Sequence, residues 1–365
     1  MTNNPQFQRP SFKFLGRKSP LALTIGALVI TGALFTALSG FYADWLWFKS
    51  VDFTSTWSTI LGTKIFLFVV TGLLTASIVL ANVWIAYKRR PLYVSMTMES
   101  DNLERYRSQV EPIRRSLFIG GFLALFYFAG TSGSTLWSSW LLFKNSTDFG
   151  VKDPQFNMDI SFFAFRLPFW QTIIGWGIST LVLAIIASTV VHYLYGGIRL
   201  QVQEDRTTVA ARLQLSVLLG GVVLLKAVAY WFDRFALALK ESKIITGLTY
   251  TDVNAVLPAK AILAGIALVC ALLFFANIIR RSWVLPAAGT ALLVISSVLI
   301  AGLYPAAIQN FQVKPSESSK EAPFIQRNIE STRAAYGLED VTVTDYQATL
   351  STSTGQLAND AATIA

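Results

Sequence analysis

Residues 259–279, AKAILAGIALVCALLFFANII, decide the architecture of this chain. The stretch carries one charged side chain, Lys260, near its start, and Arg280 and Arg281 follow at once. At about 1.5 Å per residue, a helix of that length covers about 30 Å, the thickness of a bilayer's hydrocarbon core. A helix on the surface of a soluble domain would show a polar stripe, and this one has none. The segment therefore reads as a membrane-spanning helix. Working outward, six further apolar blocks of similar length lie at about 21–43, 60–86, 116–136, 171–195, 213–232 and 284–308.

Composition agrees with seven spans. The chain is 53% hydrophobic and 14% charged, whereas soluble domains carry about a quarter charged residues. The first block is readable as a signal peptide or as a retained anchor. Its length favours the anchor, because the apolar core of a signal peptide is shorter. The expected fold class is an all-α integral membrane protein with about seven transmembrane helices plus interfacial helices, N-terminus in and C-terminus out. It divides into a cytoplasmic segment at 1–20, a transmembrane domain at 21–308, and an extracytoplasmic stalk at 309–365 that begins, or is the remnant of, a C-terminal domain.

Orientation follows from lysine and arginine, which stay on the cytoplasmic side of short loops. With the N-terminus inside, the cytoplasmic segments hold 16 bases against six acids, and the remainder of the chain holds 14 against 15. The net charge of +9 is thus a topology signal and an attraction to anionic lipid heads, which speaks against nucleic-acid binding. Tryptophan supports the same frame: Trp45, Trp47, Trp57, Trp137, Trp140, Trp170, Trp176 and Trp231 fall near outer helix ends, and Trp84 and Trp283 near inner ones. The expected location is the plasma membrane.

Three inter-span segments are too apolar or too periodic for plain loops. Phe41–Trp57 predicts an interfacial helix on the outer surface. Ser100–Arg115 predicts a cytoplasmic surface helix with a Glu111–Arg115 pair, broken at Pro112. Asp153–Phe169, bracketed by Pro154 and Pro168, predicts an outer-leaflet or re-entrant segment. Beyond residue 308 the chain turns polar, with a short amphipathic helix around Phe324, Ile329 and Ala335. From Leu338 on it lacks apolar periodicity and reads as a tail or as the edge of a larger domain.

Chemistry-bearing motifs are sparse. One cysteine, Cys270, and one histidine, His192, exclude an intramolecular disulfide and paired-histidine metal motifs. No nucleotide-binding glycine loop or nucleophile elbow is present, and no cofactor is expected. No Asp or Glu falls inside the seven blocks, which weakens proton-coupled transport. Lys64, Lys226 and Lys260 sit just inside outer helix ends. They are candidate contacts for an anionic lipid or ligand, with snorkelling to the surface as the plain alternative. Asn82, His192 and Asn277 sit near inner ends as candidate helix-to-helix hydrogen-bonding residues. The YTDVN sequence at 250–254 reads as a turn with a helix cap or as an exposed contact.

Several phrases occur together and in order: WLWFKSVDF, WIAYKRRPLY, VKDPQFNMDISFFAFRLPF, VVHYLYGGIRLQ, LLKAVAYWFDR, YTDVNA, GLYPAAIQNFQVKPSE and RNIESTRAAYGL. In these the chain resembles a large uncharacterised (UPF) multi-pass membrane family typical of actinobacteria. The resemblance implies seven N-terminal helices followed by a large extracytoplasmic region, with the present chain ending near where that region starts. It supplies no catalytic residues. The function expected is a non-enzymatic scaffold or anchor that binds envelope proteins or lipids. The alternative is a lipid or solute transporter using the outer lysines. Membrane lipids and envelope proteins are the expected partners, and the sequence leaves the oligomeric state open.

Overall fold

The computed structural model describes residues 20–91, 98–199, 206–241, 245–280 and 283–342. Ten α-helices are described: α1 (Pro20–Ser50), α2 (Thr54–Lys88), α3 (Met98–Ser134), α4 (Trp137–Lys144), α5 (Leu167–Leu194), α6 (Val209–Ala236), α7 (Leu257–Arg280), α8 (Val284–Ser296), α9 (Tyr304–Ala307) and α10 (Glu317–Ala335). Seven helical runs are long and apolar enough to cross a bilayer, one for each expected block. They overrun those blocks: the fourth begins at Phe162 and the sixth at Asp252. Hydropathy marks the part of a helix that lies in hydrocarbon, whereas backbone bonding carries the helix on into the interface.

Side-chain distribution is that of a protein dissolved in lipid. Phe128 is 70% exposed, Ile186 56% and Ile279 84%, and apolar exposure repeated along every span is not tolerated in water. Many of the buried positions are small, among them Ala76, Ala184, Ala211, Ala259, Ala267, Cys270 and Ala271. Lipid tails are as apolar as leucine, so helices gain by close approach of small residues, and many large aliphatics can face outward.

The described residues form two compact units, one drawn from 20–72 with 127–137 and one from 73–126 with 138–342. In the first, the end of α3 lies close against the first half of α2. A Cβ on Gly133 would clash with Thr71 Oγ1, and one on Gly130 would stand 2.8 Å from the Phe68 carbonyl. That approach lets the Thr71 hydroxyl reach the carbonyls of both Leu67 (2.7 Å) and Ala129 (3.1 Å). In the second unit α5 packs on α6, α6 on α7 and α7 on α8. α5 ends in a Schellman motif. Gly197 N–H bonds His192 O at 2.6 Å and Gly196 N–H bonds Tyr193 O at 3.1 Å, and Gly196 supplies the positive φ of 74°.

Three local expectations are corrected. Phe41–Trp57 is not a separate interfacial helix: α1 continues to Ser50, and after a short turn with Asp52 at φ 59°, α2 begins at Thr54. Nothing between Ala43 and Ser50 stops a helix. The short Trp-rich helix outside the spans is α4 instead. Pro112 does not break α3, which runs through it, since a proline costs one donor and its ring can be accommodated by a bend. Glu111 pairs with Arg114 at 2.6 Å rather than with Arg115. Asp153–Phe169 is not re-entrant: a tight turn at 152–159 leads directly into the helical run that becomes α5.

The last span continues as one helical run from Val284 to Ala335. Widened π turns at Ser297–Leu303 and Ile308–Val313 flank Pro305, and such turns absorb a missing backbone donor. Residues 1–19 and 343–365 lie outside the described residues.

The close approach of α2 and α3 gives a direct test. Gly133→Ala should lower the unfolding temperature in mild detergent, at a cost of about 1–3 kcal/mol from overpacking. Gly62→Ala, with nothing within 4 Å of its added carbon, should not. Equal melting of the two variants would contradict this packing.

Candidate functional site

The second unit carries three polar assemblies: one within its helical interior and one at each end. The interior assembly centres on Gln214 of α6. Its Nε2 donates to Asn82 O (2.8 Å) and lies 3.3 Å from both Asn82 Oδ1 and Ser188 Oγ, while its Oε1 lies 3.0 Å from His192 Nε2. A carbonyl oxygen only accepts, so the His192 hydrogen resides on Nε2. The four side chains tie α2, α5 and α6 together. One step along, Asn277 Nδ2 donates to Ser216 Oγ at 2.7 Å, joining α7 to α6. Toward the other end of the bundle, Trp176 Nε1 donates to Thr75 Oγ1 (3.1 Å), which lies 3.4 Å from Thr180 Oγ1. Gln214 is absent from the sequence candidates, although its place near the inner end of the 213–232 block is the same signal that marks Asn82 and Asn277.

Of the three lysines, two meet. Lys226 Nζ lies 4.8 Å and Lys260 Nζ 5.9 Å from the centre of the Tyr230 ring. Lys260 is neutralised by Asp233 at 3.1 Å; Lys226 has no ion pair among the described residues. Lys64 belongs to the first unit, where its ammonium lies 5.5 Å from the centre of the Trp137 ring.

The end of the second unit that carries α10, the stalk end, holds a capped and cross-braced junction. Thr249 and Asp252 form a capping box at the start of the sixth span: Thr249 N–H donates to Asp252 Oδ2 at 3.1 Å, and Asp252 N–H to Thr249 Oγ1 at 3.3 Å. Asp252 is 1% exposed, and Lys240 Nζ, at 2.8 and 3.0 Å from its two oxygens, supplies the charge that a buried carboxylate requires. Thr251 bonds Gln309. Glu321 of α10 accepts the Tyr250 N–H at 3.0 Å. The cap read from YTDVN is thus present with Asp252 at its centre, whereas Glu321, outside the apolar blocks, carries no signal in the sequence.

The turn at 148–161 is organised by Asp159, whose carboxylate accepts the N–H groups of Phe149 (3.0 Å), Gly150 (2.9 Å) and Ser161 (2.9 Å). Bonding from the Ser161 side chain and amide first, then from the Phe149 and Gly150 amides, holds this carboxyl down at about 2. Around the turn, aromatics of α4, α5 and α6 interlock, with Phe143 stacked on Phe169 at 4.3 Å and Trp170 on Phe232 at 6.1 Å.

The opposite end gathers arginines. Glu111 accepts the hydroxyls of Tyr87 (2.8 Å) and Tyr195 (2.9 Å) and the Arg114 guanidinium (2.6 Å). Arg90 lies 4.0 Å over the Tyr87 ring and 5.4 Å from the Tyr195 ring. Arg107 Nε caps the Leu194 carbonyl at the end of α5 at 2.6 Å. Burial, then the bond to Glu111, pushes the Tyr195 phenol up to about 12. Among the described residues no group of three His, Cys, Asp or Glu side chains assembles as a metal site.

Seven long apolar helices, a small-residue interior and polar clusters confined to helix contacts and ends define a polytopic α-helical membrane protein. Residues 21–365 match the sequence profile of the uncharacterised protein family UPF0182, and the chain belongs to that family. It is 48% identical over 335 residues to a UPF0182 protein of Streptomyces coelicolor, covering 90% of this chain and 34% of that protein. It is 46% identical over 351 residues to one of Thermobifida fusca, covering 95% and 34%. A relative in Frankia casuarinae is 44% identical over 345 residues, covering 94% and 34%. The chain thus spans about a third of the length of these actinobacterial relatives. No solved structure matches it.

The Asp159 turn predicts a specific acid response. A depressed carboxyl contributes stability that is fully present above the ordinary value of about 4 and is lost as pH falls through the folded value. The amide resonances of Phe149, Gly150 and Ser161 should therefore titrate together with a midpoint near 2. A midpoint near 4 would show that these bonds do not hold the carboxylate.

Proposed function

We propose that this bundle is a non-enzymatic membrane anchor that holds an extracytoplasmic region in a fixed attitude against the outer surface of the plasma membrane, where it binds envelope proteins or lipids. The observation that carries the reading is the unbroken run from the last span into α10, braced where it leaves the apolar zone. Beyond the Glu321 bond, Lys320 lies 4.8 Å over the Tyr250 ring, Asn328 Nδ2 donates to Thr246 O at 2.9 Å, and Arg327 reaches Gln155 at 3.4 Å. A tether that merely joined two domains would need none of these contacts. A braced lever transmits position and orientation.

The orientation proposed is N-terminus inside and α10 outside. Its support is the charge asymmetry, together with the gathering of Arg90, Arg107 and Arg114 at the end opposite α10. A second reading, lipid or solute transport, rests on Lys226: it shares the Tyr230 ring with Lys260 yet keeps an unpaired charge, suited to an anionic headgroup.

In-cell crosslinking of the native protein, purification in mild detergent and mass spectrometry separate the two. Recovery of a reproducible envelope protein, lost when Glu321→Gln and Asn328→Ala release the stalk, is the result expected. Recovery of one enriched anionic lipid, lost with Lys226→Met and without any protein partner, would refute the anchor and favour transport.

A further inference from the structure

A second charged site, distinct from the outer lysines, lies at the arginine end of the second unit and is built differently from an ordinary basic surface. Glu111 is its only carboxylate between the two tyrosine rings among the described residues, and its oxygens are already taken by Tyr87, Tyr195 and Arg114. Arg107 is spoken for by the Leu194 carbonyl and Glu104, and its enclosed Nη2 has no acceptor among the described residues. Arg90 is exposed and forms no ion pair among the described residues. Three guanidiniums thus stand against two carboxylates, Glu111 and Glu104, and the local charge is left positive.

The tyrosines fix what that charge can do. Tyr87 and Tyr195 meet edge to face, with ring centres 5.2 Å apart, and both hydroxyls are anchored on Glu111. Arg90 therefore stacks on, and is hydrogen-bonded to, a held platform, which orients the guanidinium plane while the side chain stays exposed. A planar fork held in place is suited to two oxygens of one phosphate, because little side-chain entropy remains to be lost on binding. One turn back on α2, Lys88 lies 4.8 Å over the half-exposed Trp84 ring, an aromatic and basic pair of the kind that marks the headgroup level of a bilayer.

We infer that Arg90, seated on Tyr87 and Tyr195, binds a phosphate group carried by an anionic phospholipid of the cytoplasmic leaflet. The site anchors the inner face of the bundle, and it does not depend on the function proposed for the stalk. Free phosphate shares the same chemistry, and the experiment distinguishes the two sources.

The test uses the full chain in mild detergent, with bound lipid counted by native mass spectrometry against added dioleoyl phosphatidylglycerol, and with dioleoyl phosphatidylcholine as competitor. Arg90→Gln should weaken phosphatidylglycerol binding about tenfold, the loss of one strong charged contact. Arg89→Gln removes the same charge one residue away from the platform and should change binding less than about twofold. Both side chains are exposed, and unchanged thermal unfolding checks that each variant is folded. Equal losses in the two variants would reveal a diffuse basic surface and overturn the site, as would equal binding of phosphatidylcholine by the unaltered chain. Millimolar inorganic phosphate that displaces the lipid would assign the site to soluble phosphate, and its failure to do so assigns the lipid.

Discussion

The second unit depends on one side chain, the amide of Gln214. In hydrocarbon no water is available to a stranded donor or acceptor, so a polar group there must find its partners in protein. Gln214 is 8% exposed and has partners on two neighbouring helices: the backbone and side chain of Asn82 on one, Ser188 and His192 on the other. These bonds fix the rotation of α2, α5 and α6 about their own axes, which apolar contact alone leaves loosely defined. The Ser216–Asn277 bond carries the same registration to α7. Each such bond in a membrane is worth about 0.6–2 kcal/mol. Their weight lies less in energy than in specifying one arrangement among many that bury similar surface.

With rotation fixed, the ends of the helices fall into two contrasting groups. At one end, capped turns, an ion pair of exposed Lys240 with the buried Asp252 carboxylate, and Glu321 lock α10 to the loop before the sixth span. At the other, arginines stack on two tyrosines around Glu111. In the first group Lys240 is paired with Asp252 and Lys260 with Asp233. The second keeps an excess of positive charge, and that difference underlies both the proposed orientation and the phosphate site.

Much of the fold is legible in the sequence because the bilayer imposes it. Stretches such as 259–279 can be little other than spanning helices, and seven of them are present. Helix ends are less legible: α3 begins well before its apolar block and passes through Pro112, because the charged first half of that helix is stabilised by partners on α2 and α5 that spacing along one helix cannot name. The site residues divide the same way. Asn82, His192 and Asn277 stand out as polar residues in apolar blocks, and each does bond to a neighbouring helix. Gln214 carries the same signal, an amide near the inner end of an apolar block, whereas Tyr87, Tyr195 and Glu111 come together only once three helices have been registered. Among the lysines, sequence depth alone suggested one group, whereas Lys226 and Lys260 share Tyr230 and Lys64 lies over Trp137 in the other unit.

Both functional readings rest on which end of the bundle faces the cytoplasm. In a Cys270→Ala background, single cysteines placed at Ser108, in the arginine-rich half of α3, and at Tyr336, at the end of α10, can be exposed to a membrane-impermeant maleimide in intact cells. The account predicts labelling at 336 and none at 108 until the cells are opened. Labelling at 108 with protection at 336 would invert the protein in its membrane, removing the extracytoplasmic lever and the cytoplasmic phosphate site together.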